Sequence, residues 1–280
     1  VNNLGKRVVV GVILGSLVVL TLFIHPTALY LLSIIWITLS TAEFLKMLKQ
    51  KQIYLNRTLM IILNILIPTL FYFGYLIRNT SLVQNYRILY ILIPLIFFLY
   101  ALIKRAQYYL IVPFGLFTLF YLGFLPSHLL YLKIWTRIAE LNFWRAGFIV
   151  FFPVAFTWVN DTAAYFVGSL IGRHKLAVKI SPNKTIEGFV GSIIVSVIFS
   201  IFYLKGIFPN MTNLLSVIIG LVLSIVAQIG DLVESGFKRD FDLKDSSQVL
   251  PGHGGFLDRV DSLLFTVPVF YYFLLYIING

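Results

Sequence analysis

The chain has 280 residues, 59% of them hydrophobic and only 12% charged, with a mean hydropathy of +0.92. A soluble domain carries roughly 25% charged residues, so a water-soluble fold built on one core is excluded. The absence of Cys removes disulfides and thiolate metal sites, and the net charge of +11 lies between apolar runs instead of in a basic domain, which argues against nucleic-acid binding.

The apolar runs predict about nine transmembrane helices, at 8–24, 27–45, 58–77, 87–103, 107–125, 147–171, 186–208, 214–236 and 260–278. Only helices and closed barrels satisfy their backbone in lipid, and these runs are continuous instead of alternating, so the expected fold is all-α and polytopic. The run 8–24 could imitate a signal peptide, but a second run follows directly after His25-Pro26, so it reads as a membrane helix. Pro68, Pro94 and Pro113 interrupt the third to fifth spans. With the N-terminus placed in the cytoplasm, 16 of the 22 Lys and Arg residues fall on the cytoplasmic side and 6, including Lys133, Arg137 and Arg145, on the other. That bias predicts the orientation.

Composition divides the chain. Residues 1–146 hold plain apolar spans and read as a scaffold with lipid-access or dimer contacts; residues 147–280 place ionisable groups within or beside spans and read as the catalytic region. Ionisable groups in such a setting are costly and usually functional.

Three clusters carry the chemistry, and Asp161, in Trp158-Val159-Asn160-Asp161, is the first, inside a span and in need of a polar surround. The nearby Gly168 and Gly172 have the spacing of close helix packing. The second runs from Ser181 to Gly188. There Ser181, Asn183, Lys184 and Thr185 put hydroxyls, an amide and an ammonium at a helix N-terminus, which suits a polyphosphate; a simple capped loop is the alternative.

The third cluster runs from Asp231 to Asp261. Asp231 ends an apolar run and Asp258 opens another, so the two are the expected principal ligands of a hard cation such as Mg²⁺, with Asp261 and Asp245 auxiliary. A helix-end charge pair is the alternative. Lys238, Arg239, Lys244 and Arg259 are candidate phosphate binders, or positive-inside loop charges. The turn at His253, Gly254 and Gly255 would let backbone N–H groups approach an anion, and His253 reads equally as a base, a phosphate donor or a structural cap.

These residues resemble a known family. Ser235-x-Phe237-Lys238-Arg239, then Lys244-Asp245, Ser247, Leu250-Pro251-x-His253-Gly254-Gly255-Phe256-x-Asp258-Arg259-Val260-Asp261, looks like the signature of phosphatidate cytidylyltransferases. Residues 181–188 resemble the family's S-P-x-K-T-x-E-G element, and Asp161 to Gly172 resembles its D-x-x-A-Y-x-x-G element. The resemblance implies transfer of CMP from CTP to phosphatidic acid, giving CDP-diacylglycerol and pyrophosphate, by a multi-pass enzyme of the cell membrane whose site faces the cytoplasm. It further implies Mg²⁺, a second monovalent cation (K⁺), membrane-lipid partners and a homodimer. A CTP-dependent kinase of an isoprenoid alcohol, a CDP-archaeol synthase and a secondary anion transporter are the competing readings; the last would show inverted repeats, and none is visible.

Overall fold

The structure is a computed structural model that describes residues 3–77, 88–104, 108–247, 249 and 254–275. Among these, six helices are long and apolar enough to cross a membrane: Pro26–Gln50, Arg57–Leu76, Tyr108–Ile138, Phe143–Ile171, Ile186–Ile207 and Asn213–Asp240. Shorter apolar helices lie at Gly11–Phe23 and Ile91–Ile103. The protein is a polytopic membrane protein, and among the described residues its regular structure is helical apart from one small hairpin.

The chain forms two compact units, residues 1–139 with 245–259, and residues 140–244 with 260–280. The first unit takes in residues 245–259 beside the N-terminal helices.

In the first unit, α1 (Asn3–Phe23), α2 (Pro26–Gln50), α3 (Arg57–Leu76), α4 (Leu89–Lys104), α5 (Tyr108–Thr118) and α6 (Leu125–Ile138) follow in order. Pro68, Pro94 and Pro113 sit inside α3, α4 and α5 without ending them, as membrane helices tolerate. A π-helical stretch, Leu119–Phe124, joins α5 to α6, so the expected span 107–125 and the connection after it are one continuous 31-residue helix. Polar contacts tie α2 to α3: Asn64 Nδ2 donates to Thr41 Oγ1 at 2.9 Å, and Tyr30 stacks on Tyr72 at 4.3 Å. Lys133 is not an external loop charge. It is 2% exposed and donates to the carbonyls of Leu22 and Phe23 at the end of α1, where a cation meets the negative end of the helix.

The second unit holds α7 (Phe143–Ile171), a hairpin of β1 (Lys175–Ala177) and β2 (Ser181–Thr185), α8 (Ile186–Ile207), α9 (Asn213–Asp240) and α10 (Asp261–Phe273). Asn142, Thr185 and Thr212 cap α7, α8 and α9, each side-chain oxygen accepting a first-turn N–H. α7 and α8 cross at Gly168 and Gly188, where a Cβ on Gly188 would stand 2.7 Å from the Ala164 carbonyl. Small residues at the crossing allow the backbones to meet. A buried polar seam follows: Asn160 Oδ1 accepts from Ser196 Oγ at 3.1 Å and from Ser224 Oγ at 2.6 Å. The apolar side closes on Phe152, whose ring lies 4.6 Å from that of Phe270.

Candidate functional site

The second unit gathers the charged groups around Asp231. Gly230 makes this possible: a Cβ there would lie 2.7 Å from the Asp261 carbonyl and 3.2 Å from Ser262 Cα, so only glycine lets α9 pass this close to the start of α10. The next residue, Asp231, therefore stands beside Asp261, the first residue of α10, whose Oδ1 accepts from the Ser262 N–H at 2.6 Å. Asp161, from α7, is within electrostatic reach of both Asp231 and Asp261.

Lys184 is the cation of this group. It is the last residue but one of β2, just before the Thr185 cap, and its Nζ lies 2.7 Å from Asp231 Oδ2 and 3.3 Å from Gln228 Oε1. Ser235 Oγ donates to Asp231 Oδ1 at 3.2 Å. The Asp231 side chain is 30% exposed and that of Lys184 is 18% exposed, so the pair is held yet open to a solute. Asp161, Asp231 and Asp261 meet here with Lys184, and Lys238 also acts on Asp261; carboxylates gathered in an apolar frame repel one another, which a bound cation would relieve.

The rest of the second cluster serves the hairpin. Glu187 accepts the backbone N–H of Arg173 at 3.0 Å, and one of its oxygens lies 2.6 Å from His174 Nδ1. Ser181 and Asn183 are on β2, with Asn183 exposed. The sequence led us to expect a loop entering a helix; a strand does so instead, and its alternation directs Lys184 and Thr185 to different tasks. Arg239 braces the same hairpin, donating from Nε to the Ile180 carbonyl at 3.1 Å and from a terminal nitrogen to the Leu243 carbonyl at 2.9 Å. Lys238 pairs with buried Glu234 at 2.5 Å, one helical turn away. Lys244 is exposed.

In the first unit, residues 245–247 and 254–259 are organised by two carboxylates. Asp258 Oδ2 accepts the N–H of Gly255 at 2.7 Å and that of Ser246 at 3.0 Å, together with Ser246 Oγ at 3.1 Å. Glu43, from α2, accepts the N–H groups of Phe256 at 3.1 Å and Leu257 at 3.0 Å. The N–H groups of Gly255, Phe256 and Leu257 thus meet the protein's own carboxylates. Gly254 has φ +78°, and a Cβ there would stand 2.5 Å from Asp258 Oδ2; both the backbone conformation and the space require glycine. Asp245 and Arg259 are exposed, and His253 lies outside the described residues. Among the described residues, no three His, Asp or Glu side chains already form a metal cluster.

Sequence reasoning missed Glu43 and Gln228. The signal for Glu43 was its place as a lone acid in the apolar run Ile37-Thr38-Leu39-Ser40-Thr41-Ala42-Glu43, which marks function or a structural bond.

Fold and site together define a polytopic membrane protein with a carboxylate and lysine centre set among its helices. The model of the Cytidylyltransferase family matches residues 5–277, and the chain belongs to that family. It is similar to the phosphatidate cytidylyltransferases of Staphylococcus haemolyticus and Staphylococcus saprophyticus, each 48% identical over 134 residues, which is 48% of this chain and 49% of the relative. The corresponding protein of Staphylococcus aureus is 46% identical over 134 residues, with the same coverage. The chain matches about half the length of these curated relatives.

Proposed function

We propose that this protein is a phosphatidate cytidylyltransferase, joining the CMP part of CTP to phosphatidic acid and releasing pyrophosphate. The observation that carries the reading is the Lys184–Asp231 pair with Asp261 and Asp161 beside it. The nucleophile, a phosphate monoester, is already anionic at neutral pH and needs no strong base. The barrier lies in bringing two anions together and in charge building on the leaving pyrophosphate. Positioned cations lower it by orientation and electrostatics. Lys184 is the side chain we assign to CTP phosphate oxygens. Asp161, deep in α7, keeps the surround polar.

Carboxylate oxygens are the donors a hard cation prefers, and Mg²⁺ commonly takes one or two of them with water and substrate phosphate. The incomplete protein cluster fits that habit. Asp231 and Asp261 would hold Mg²⁺, which when bound supplies Lewis-acid stabilisation of phosphate oxygens. Asp258, expected as a principal ligand, spends its carboxylate on its own loop; we assign it to loop order, with Asp245 and Arg259 carried on that loop. The K⁺ site and the homodimer implied by the resemblance belong to the same proposal, read out by a K⁺-over-Na⁺ rate dependence and by mass in detergent.

The test of the reaction is pyrophosphate release that requires both CTP and phosphatidate; an anion transporter would release none. Lys184→Ala should raise the KM for CTP or lower turnover about tenfold or more, as loss of a charge-assisted phosphate contact does. Unchanged kinetics for both substrates would return Lys184 to a purely structural ion pair.

The active site is placed on the cytoplasmic side of the cell membrane, supported by the Lys and Arg bias. Val249 is 59% exposed in the loop. A unique Cys at Val249 should resist impermeant maleimide in intact cells and label after lysis. Labelling of intact cells would reverse the orientation.

A further inference from the structure

We propose that Glu43 is a positioning residue for the reaction, a clamp through which α2 fixes residues 246–247 and 255–257. The inference rests on the cytidylyltransferase reading for its catalytic half only. Glu43 is 7% exposed. Its Oε1 accepts from Ser247 Oγ at 2.6 Å and the Phe256 N–H at 3.1 Å; its Oε2 accepts from Ser246 Oγ at 3.2 Å and the Leu257 N–H at 3.0 Å. Two hydroxyls and two backbone donors thus fill both oxygens of one carboxylate. Trp36, two turns earlier on α2, adds an edge-to-face contact with Phe256 at 5.4 Å.

An irregular loop has no ladder to satisfy its N–H groups, and leaving them buried and unpaired is costly. Asp258 supplies acceptors from within the loop; Glu43 supplies them from more than 200 residues away in sequence. The clamp closes over Gly255, where any Cβ would collide with both Ser246 Oγ and the Glu43 carboxylate. The loop so fixed carries Asp245, Gly254, Asp258 and Arg259, the residues of the family-like signature. The N-terminal helices therefore contribute more than a frame for the membrane.

Glutamine cannot take over this task. Its amide replaces one acceptor oxygen with a donor. A serine hydroxyl can rotate to accommodate that change, but a backbone N–H cannot, so Phe256 or Leu257 loses its acceptor. Aspartate keeps both acceptors but is one methylene shorter.

The test pairs kinetics with hydrogen exchange on the full-length protein in lipid nanodiscs. In Glu43→Gln, the amides of Phe256 and Leu257 should exchange at least about tenfold faster, while those of α3 stay unchanged. Turnover should fall about tenfold or more with the KM for CTP within about threefold, because positioning, not binding, is lost. Glu43→Asp should recover part of the turnover. Ser247→Ala, which removes one of the four donors, should move both readouts in the same direction by less. It carries the test if Glu43→Gln fails to fold. Unchanged exchange at Phe256 and Leu257 would overturn the clamp. Faster exchange with unchanged turnover would overturn the positioning role. A wild-type protein that releases no pyrophosphate from CTP and phosphatidate would overturn the underlying reading, and with it the catalytic half of this proposal, whatever the exchange data show.

Discussion

Asp231→Asn should lower turnover by about 100-fold or more while leaving the protein folded. The substitution keeps size but removes the charge that pairs with Lys184 at 2.7 Å and faces Asp261, and it turns one of two acceptor oxygens into a donor. Loss of one preorganised electrostatic group typically costs a factor of about 10² to 10³. Asp261→Asn should cost a similar amount. The double variant should be little worse than either single one, because both disable one cation site and such effects are not additive. The measurement is pyrophosphate release against Mg²⁺ concentration for wild type, both singles and the double. Near-normal activity of Asp231→Asn at low Mg²⁺ would remove the metal from this centre and leave Asp231 as the partner of Lys184 alone.

Asp258→Asn should also cost about 100-fold in turnover, but through a different cause. Its Oδ2 gathers the N–H of Gly255, the N–H of Ser246 and the Ser246 hydroxyl. The Ser246 N–H also reaches Oδ1 at 3.2 Å, so an asparagine with its oxygen at the Oδ2 position sets an NH2 donor against that N–H, and one turned the other way leaves the Gly255 N–H without its acceptor, at a cost of roughly 1–3 kcal/mol. The loop should then show faster amide exchange at Ser246 and Gly255, with the Mg²⁺ dependence of the residual rate unchanged. A loss of activity without any change in those amides, and with a rise in the Mg²⁺ needed for half-maximal rate, would restore Asp258 as a metal ligand.

Long apolar runs were legible because lipid imposes one solution on them. The run expected at 147–171 is α7, Phe143–Ile171, extended at its start by the Asn142 cap. The run expected at 186–208 is α8, capped by Thr185. What stayed hidden depends on contacts remote in sequence or on local irregularity. The π-helical stretch at Leu119–Phe124 carries the helix past the place where hydropathy suggests an end. The hairpin before α8 has strands of three and five residues, too short for an alternation pattern. Lys133 looked like a topological charge because its partners, the Leu22 and Phe23 carbonyls, lie more than 100 residues away. Glu43 was hidden for the same reason.

The centre around Asp231 was legible in its residue types but not in its pairing. Paired acids at three-residue spacing were visible, yet helix geometry alone could not say that Glu234 is committed to Lys238 while Asp231 faces Lys184 and Asp261. Nor could composition show that the Gly-rich turn satisfies itself with Glu43 and Asp258. Those facts depend on Gly230 and Gly255 permitting close approach between elements.

Position-labelled CTP separates transfer of the CMP moiety from transfer of the terminal phosphate. Protein in phosphatidate-containing vesicles is given Mg²⁺ and CTP labelled either at the α- or at the γ-phosphate. The account predicts that α-label enters the lipid fraction in step with pyrophosphate release, and that γ-label leaves with pyrophosphate. Label entering lipid from the γ-position only would make the protein a CTP-dependent kinase and contradict the account.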